Sequence, residues 1–150
     1  MLMSLTASAA TDNAAHLRGI HFLYMYVDTS MATGIQQTER LDLNDIMELQ
    51  LRRGQIELRP YVLNQPERNV PVVELIVDTS RQVNTGEFEL ILRVRDYVTI
   101  DRNKEKTVAT IFELRRTASG GPRAKDIDVI KAELRDLMSE FVSILQAKNS

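Results

Sequence analysis

Glu87-Phe88-Glu89-Leu90-Ile91-Leu92-Arg93-Val94-Arg95-Asp96-Tyr97-Val98-Thr99-Ile100 alternates in character along its length. Phe88, Leu90, Leu92, Val94, Val98 and Ile100 share one parity, and Glu87, Glu89, Arg93, Arg95 and Thr99 share the other. Successive side chains of a strand point to opposite faces, so the run predicts a strand with one apolar and one charged face. That pattern belongs to an antiparallel sheet covered on one side and wet on the other. The apolar side needs a second layer to cover it.

Working outward, residues 72–78 predict a neighbouring strand and residues 80–86 a hairpin loop. Asp101-Arg102-Asn103-Lys104-Glu105-Lys106 reads as a charged turn, and residues 107–115 as a returning strand with Val108, Thr110, Phe112 and Leu114 toward the core. The three strands make an antiparallel meander. Residues 117–125 have loop composition. Beyond them Ile127, Ile130, Leu134, Leu137, Phe141 and Leu145 recur at helical spacing, with Val129, Met138 and Ile144 at the margins and Asp128, Lys131, Arg135 and Asp136 opposite. This predicts an amphipathic helix from Asp126 to Lys148, about 30 Å long and able to span a sheet.

Residues 20–28 are apolar on both parities, which predicts an interior strand. Residues 41–53 predict a helix, with Asp42 and Asn44 as capping candidates and Leu43, Ile46, Met47 and Leu49 inward. Leu51 falls at the margin of that stripe, and Gly54 is expected to end the helix in a left-handed conformation. Residues 55–62 predict a returning strand, held to an edge by Pro60 and able to pair parallel with the first through a right-handed crossover. The order β-α-β-β-β-β-α defines an α+β fold: a four- to five-stranded mixed, mostly antiparallel sheet with two helices on one face. Residues 16–150 are read as one domain and residues 1–15 as a tail.

Composition narrows the function classes. The chain has 150 residues, 43% hydrophobic and 27% charged, ordinary for a globular domain with a real core. A net charge of −2 argues against a dedicated nucleic-acid binder. There is no Cys, hence no disulfide, thiolate metal site or Cys nucleophile. No apolar run approaches the roughly 20 residues of a membrane-spanning helix. Within residues 1–15, Ala7-Ser8-Ala9 and Ser8-Ala9-Ala10 place small residues where a signal peptidase reads them. The tail is read as the remnant of an export signal, with a cytoplasmic N-terminus as the alternative.

No catalytic, cofactor or metal constellation stands out. His16 and His21 lack a carboxylate arranged beside them, and Gly120-Gly121 is a weak anion-nest candidate in a loop. The wet face of the meander is the better candidate. Ile91, Arg93, Arg95, Ile111, Arg115 and Arg116 are the residues expected to form a partner- or anion-binding surface, since guanidinium forks suit carboxylate and phosphate. Glu87, Glu89 and Glu113 share that face, so a solvated lattice of cross-strand ion pairs is the competing reading.

The order of elements carries a resemblance. His16-Leu17-Arg18-Gly19 precedes a strand, and a helix ends Leu49-Gln50-Leu51-Arg52-Arg53-Gly54-Gln55-Ile56-Glu57-Leu58. Val70-Pro71-Val72-Val73-Glu74-Leu75 and Gly86-Glu87-Phe88-Glu89-Leu90-Ile91-Leu92-Arg93-Val94 open later strands, and an amphipathic helix closes the chain. This resembles the small α+β envelope proteins of Gram-negative bacteria, nearest the lipopolysaccharide-assembly lipoproteins of the outer membrane. The N-terminal domain of the Tol-Pal translocation protein is a looser match. The lipidated Cys of the lipoprotein family is missing here. The resemblance implies an exported, periplasmic, non-enzymatic binding or assembly-accessory protein, with a protein partner in the envelope or an anionic glycolipid. The alternatives are a soluble anion- or small-molecule-binding domain, or a hydrolase, using the Arg-bearing face, and a cytoplasmic subunit of a larger complex.

Overall fold

Alternation over residues 87–99 becomes a long strand in the computed structural model, which describes residues 14–59, 70–119 and 126–150. The strands are β1 (Phe22–Asp28), β2 (Glu57–Leu58), β3 (Val72–Asp78), β4 (Glu87–Thr99) and β5 (Lys106–Ser119). The helices are α1 (Gln37–Arg53) and α2 (Asp126–Asn149), with a 3-10 turn at Ala14–Leu17 and a single helical turn at Gln82–Thr85. The five strands form one sheet in the order β2-β1-β3-β4-β5. β1 pairs parallel with both β2 and β3, and β3-β4-β5 is the antiparallel meander. The α+β class, the mixed sheet and the two covering helices are as the sequence predicts.

Both helices cover one face. Leu23 and Val27 of β1, Val73, Leu75 and Val77 of β3, Phe88, Leu90, Leu92 and Val94 of β4, and Phe112 and Leu114 of β5 share a core with the helices. α2 contributes Ile130, Leu134, Leu137, Met138, Phe141 and Leu145, all buried. Phe141 meets Phe112 with ring centroids 6.0 Å apart, a tilted aromatic contact at the centre of the molecule.

Four expectations are corrected. α1 begins at Gln37, a turn before the expected start, because Glu39 reaches back to accept the Gln36 backbone N–H at 2.9 Å. Its buried stripe is Leu43, Met47 and Leu51, while Leu49 is exposed, since Leu51 lies two full turns on from Leu43. Gly54 is not left-handed: its φ is −80°, and Gln55 takes the positive φ of 62° instead. Gly54 serves packing, because a Cβ there would lie 2.4 Å from Val142 Cγ1 of α2.

The fourth correction concerns β5. Arg95 pairs with Thr110 but Val94 pairs with Phe112, so Ile111 is an extra residue in the ladder. A β-bulge of this kind reverses side-chain parity on its far side. Val108 and Thr110 therefore turn away from the face of Phe112, and Val108 is exposed rather than in the core.

The expected tail also contracts. Ala14 and Leu17 are buried, and Asn149 at the end of α2 ties this segment down. Its Nδ2 donates to the Leu17 carbonyl at 3.0 Å, and its Oδ1 accepts the Gly19 N–H at 2.7 Å. The export-signal reading of residues 1–13 and the Gly120-Gly121 nest lie outside the described residues, as do Pro60 and Tyr61 of the expected strand.

Candidate functional site

Strand parity places the face away from the helices, and register assembles it in rows. Tyr26, Glu74, Arg93 and Glu113 form one row across β1, β3, β4 and β5. Asp28, Ile76, Ile91 and Arg115 form the next. Arg95 continues the β4 column opposite Val72, with Thr110 on its other side. Ile91, Arg93, Arg95 and Arg115 thus lie together, whereas the half-buried Ile111, unpaired at the bulge, packs against the core that the helices cover.

Arg116 does not join them. It has the parity of Leu114 and lies on the helix side, where its Nη2 donates to Glu140 of α2 at 2.7 Å. Adjacent residues of a regular strand cannot share a face, so Arg115 and Arg116 are divided between the two sides.

The guanidiniums of the open face are matched by carboxylates. Glu74, only 14% exposed in its side chain, lies 3.8 Å from Arg93 and 3.9 Å from Arg95. Arg115 donates to Glu89 at 2.9 Å and to Glu113 at 3.1 Å. Its hydrogen bonds to Glu113 and Glu89 hold its pKa above the usual guanidinium value. Ile76 and Ile91, the apolar pair at the centre, are nearly buried on this face, while Tyr26 stands exposed at its border. At the β2 edge, Arg59 lies over the Phe22 ring at 4.1 Å.

A second feature lies at the C-terminal ends of the parallel strands β1 and β3. The sequence holds a signal for it that strand alternation does not pick out: Val-Asp-Thr-Ser occurs at Val27–Ser30 and again at Val77–Ser80. The two copies fold alike. Asp28 accepts the Ser30 N–H at 2.8 Å and Asp78 the Ser80 N–H at 2.9 Å. The Thr29 and Thr79 carbonyls each accept an N–H three residues on, from Ala32 and Gln82. Hydrogen bonds from Ser30 and Ser80 hold both Asp carboxyls below the usual range. The loops are joined by Thr79 N–H to the Met31 carbonyl at 3.2 Å and by Thr33 N–H to Thr79 Oγ1 at 2.9 Å. Beneath them opens a cleft of about 360 Å³ lined by Thr33, Gln36, Glu39, Gln82, Asp126 and Ile130, among others. Gln82 bridges it to Asp126 of α2.

His16 and His21 stay apart from both features. His16 sits at the β5 edge with Nδ1 3.0 Å from the Ile111 carbonyl, and His21 is exposed before β1. Among the described residues no group of His, Cys, Asp or Glu is arranged to hold a metal ion, and no helix is long and apolar enough to cross a membrane.

No family model matches the chain, and no curated protein matches it. Solved structures do. The PelC dodecamer from Paraburkholderia phytofirmans is similar at 19% identity over 83% of this chain and 86% of that one, with a TM-score of 0.41. A minor lipoprotein from Acinetobacter baumannii is similar at 12% identity over 85% and 94%, with a TM-score of 0.37. Rare lipoprotein B from Shewanella oneidensis is similar at 19% identity over 83% and 92%, with a TM-score of 0.30.

Proposed function

We propose that this chain is a non-enzymatic binding or assembly-accessory protein of the bacterial cell envelope, exported to the periplasm, and that it docks a protein partner on the open face of its sheet. The observation that carries the reading is the matched lattice on that face: Arg93, Arg95 and Arg115 set against Glu74, Glu89 and Glu113 around Ile76 and Ile91. At Arg115, hydrogen-bonded to Glu89 and Glu113, an isolated anion has to compete with carboxylates, and at Arg93 and Arg95 it meets the field of the Glu74 they share. A protein surface with its own acidic and basic groups can exchange pairs instead, keeping every charge partnered. Arg and Tyr, both present here, are residue types enriched at interfaces. The lattice therefore favours a protein over the anionic glycolipid. Export is supported by the small residues of Ala7-Ser8-Ala9, placed as a signal peptidase requires.

Two measurements test this. Mass spectrometry of the protein from its own host should find a mature N-terminus near Ala10 or Thr11; a chain retaining Met1 would remove the export reading. A photo-crosslinking residue at Tyr26 or Arg95 should then capture one envelope protein in living cells, while the same residue at Leu49, on the outer side of α1, should not. Equal capture at all three positions, or none at Tyr26 and Arg95, would leave the face an ordinary solvated surface.

A further inference from the structure

The β4–β5 hairpin outruns the rest of the sheet. β3 begins opposite Arg95, so among the described strands residues 96–99 of β4 have only β5 beside them. From Arg95 to Ile100 this two-stranded arm reaches about 16 Å at ~3.3 Å per residue. A ribbon of two strands is marginal in water by itself. Here it also displays Tyr97 and Val108, directly opposite one another and 40% and 44% exposed.

The outer edge of β5 is met at the bulge. At Ile111 the carbonyl meets His16 from the 3-10 turn. From Lys106 to Thr110 no described element lies against it. Backbone phase fixes which groups face outward there. Ile100 N–H donates to the Glu105 carbonyl at 2.8 Å, which makes that end of the hairpin a closely bonded pair. Pairs then alternate, so Val98 with Thr107 is bonded and Tyr97 with Val108 is not. Lys106, Val108 and Thr110 consequently turn their N–H and C=O groups away from β4.

We propose that this edge, Lys106 to Thr110, pairs antiparallel with the same edge of a second copy of the chain about a two-fold axis at Val108. That register opposes Lys106 to Thr110 of the other copy at both ends and Val108 to itself in the middle. All three outward-facing residues are used, and Tyr97-Val108 continues into Val108-Tyr97 as one apolar row. Glu105 falls opposite Ile111 of the other copy, beside its His16. Axes at Lys106, Glu113 or Arg115 would instead set like charges directly against each other, which is unfavourable. A short edge contact buries less than the roughly 1,200 Å² of a stable interface, so the dimer is a weak one. The pairing uses the backbone edge of β5, whereas the partner reading uses the side chains of the open face, which Tyr97, Val108 and Thr110 extend.

Sedimentation of the full chain from about 1 µM to about 1 mM, where weak interfaces assemble, should show the mass rise from 17.1 kDa toward twice that value. Val108→Lys places two ammonium groups on the axis and should hold the mass at the monomer value throughout, with an unchanged melting temperature in dilute solution. The absence of native Cys allows a second readout. Val108→Cys should oxidise to a disulfide-linked dimer, because residues opposed in a bonded pair lie ~5.5 Å apart at Cα, within disulfide range. Thr110→Cys, opposite Lys106, should cross-link far more slowly. A wild-type chain that stays monomeric at about 1 mM, well into the range of weak association, overturns the proposal. So does equal cross-linking of the two Cys variants, and so does a dimer that Val108→Lys leaves intact.

Discussion

Gly54 shows how a single residue can carry a constraint set by a distant part of the chain. Its backbone is one that any residue adopts, yet Val142 Cγ1 occupies the space a side chain would need. Gly54→Ala should therefore destabilise by about 1–3 kcal/mol through overpacking. Val142→Ala should cost less in the Gly54→Ala background than alone, a coupling that a double-mutant denaturation cycle measures. Asp96 makes the opposite kind of residue-scale case. Burial raises its carboxyl above the ordinary range, and the Tyr97 N–H, 2.7 Å away, offsets this only in part. A carboxyl whose pKa is raised by folding costs stability above its folded pKa, and that cost vanishes below its unfolded pKa. Asp96→Asn keeps an acceptor for the Tyr97 N–H and removes the charge. The variant should melt higher than wild type at pH 7, and the difference should close as pH falls below about 4.

At the scale of elements, α2 and the β4 column make separable claims. Phe141 and Leu134 are fully buried under the sheet. Phe141→Ala should cost about 3–5 kcal/mol and Leu134→Ala about 2–5 kcal/mol, through lost burial and the cavity left behind. Losses under about 0.5 kcal/mol for both, as at surface sites, would mean α2 is not docked. On the open face, reversing Arg93 and Arg95 together to Glu would set two new carboxylates beside the largely covered Glu74. The pair is neither fully exposed nor fully buried, so a loss of about 1–3 kcal/mol is expected, between the two limiting cases. Adding Glu74→Gln should restore part of it in urea denaturation.

For the whole molecule, the acid limb of stability has a definite sign. Asp28 and Asp78 are held below the usual carboxylate range, first by the Ser30 and Ser80 hydrogen bonds at the twin loops. A depressed folded pKa gives stability that is present above the unfolded pKa, near pH 4, and is lost as pH falls through the folded value. Asp28→Asn with Asp78→Asn should thus lower the melting temperature at pH 7 but make it fall less between pH 4 and pH 2. Parallel curves for variant and wild type would show that the two loops add nothing to acid sensitivity. The sheet, its covered face and the long closing helix are legible in the residues alone. Each rests on a local period, two for Phe88 to Val94 and about 3.6 for Ile130 to Leu145, that the backbone imposes on neighbouring side chains. Strand alternation also places Arg93, Arg95 and Arg115 on one face. Packing and register, by contrast, make Ile111 bulge and turn Val108 outward, direct Arg116 of β5 to Glu140 of α2, and bring a carboxylate near Arg93, Arg95 and Arg115. They alone explain why residue 54 is Gly and join the two Val-Asp-Thr-Ser loops over one cleft. These features depend on strand register and on distances between segments far apart in the chain, and neither is encoded in any local run of residues.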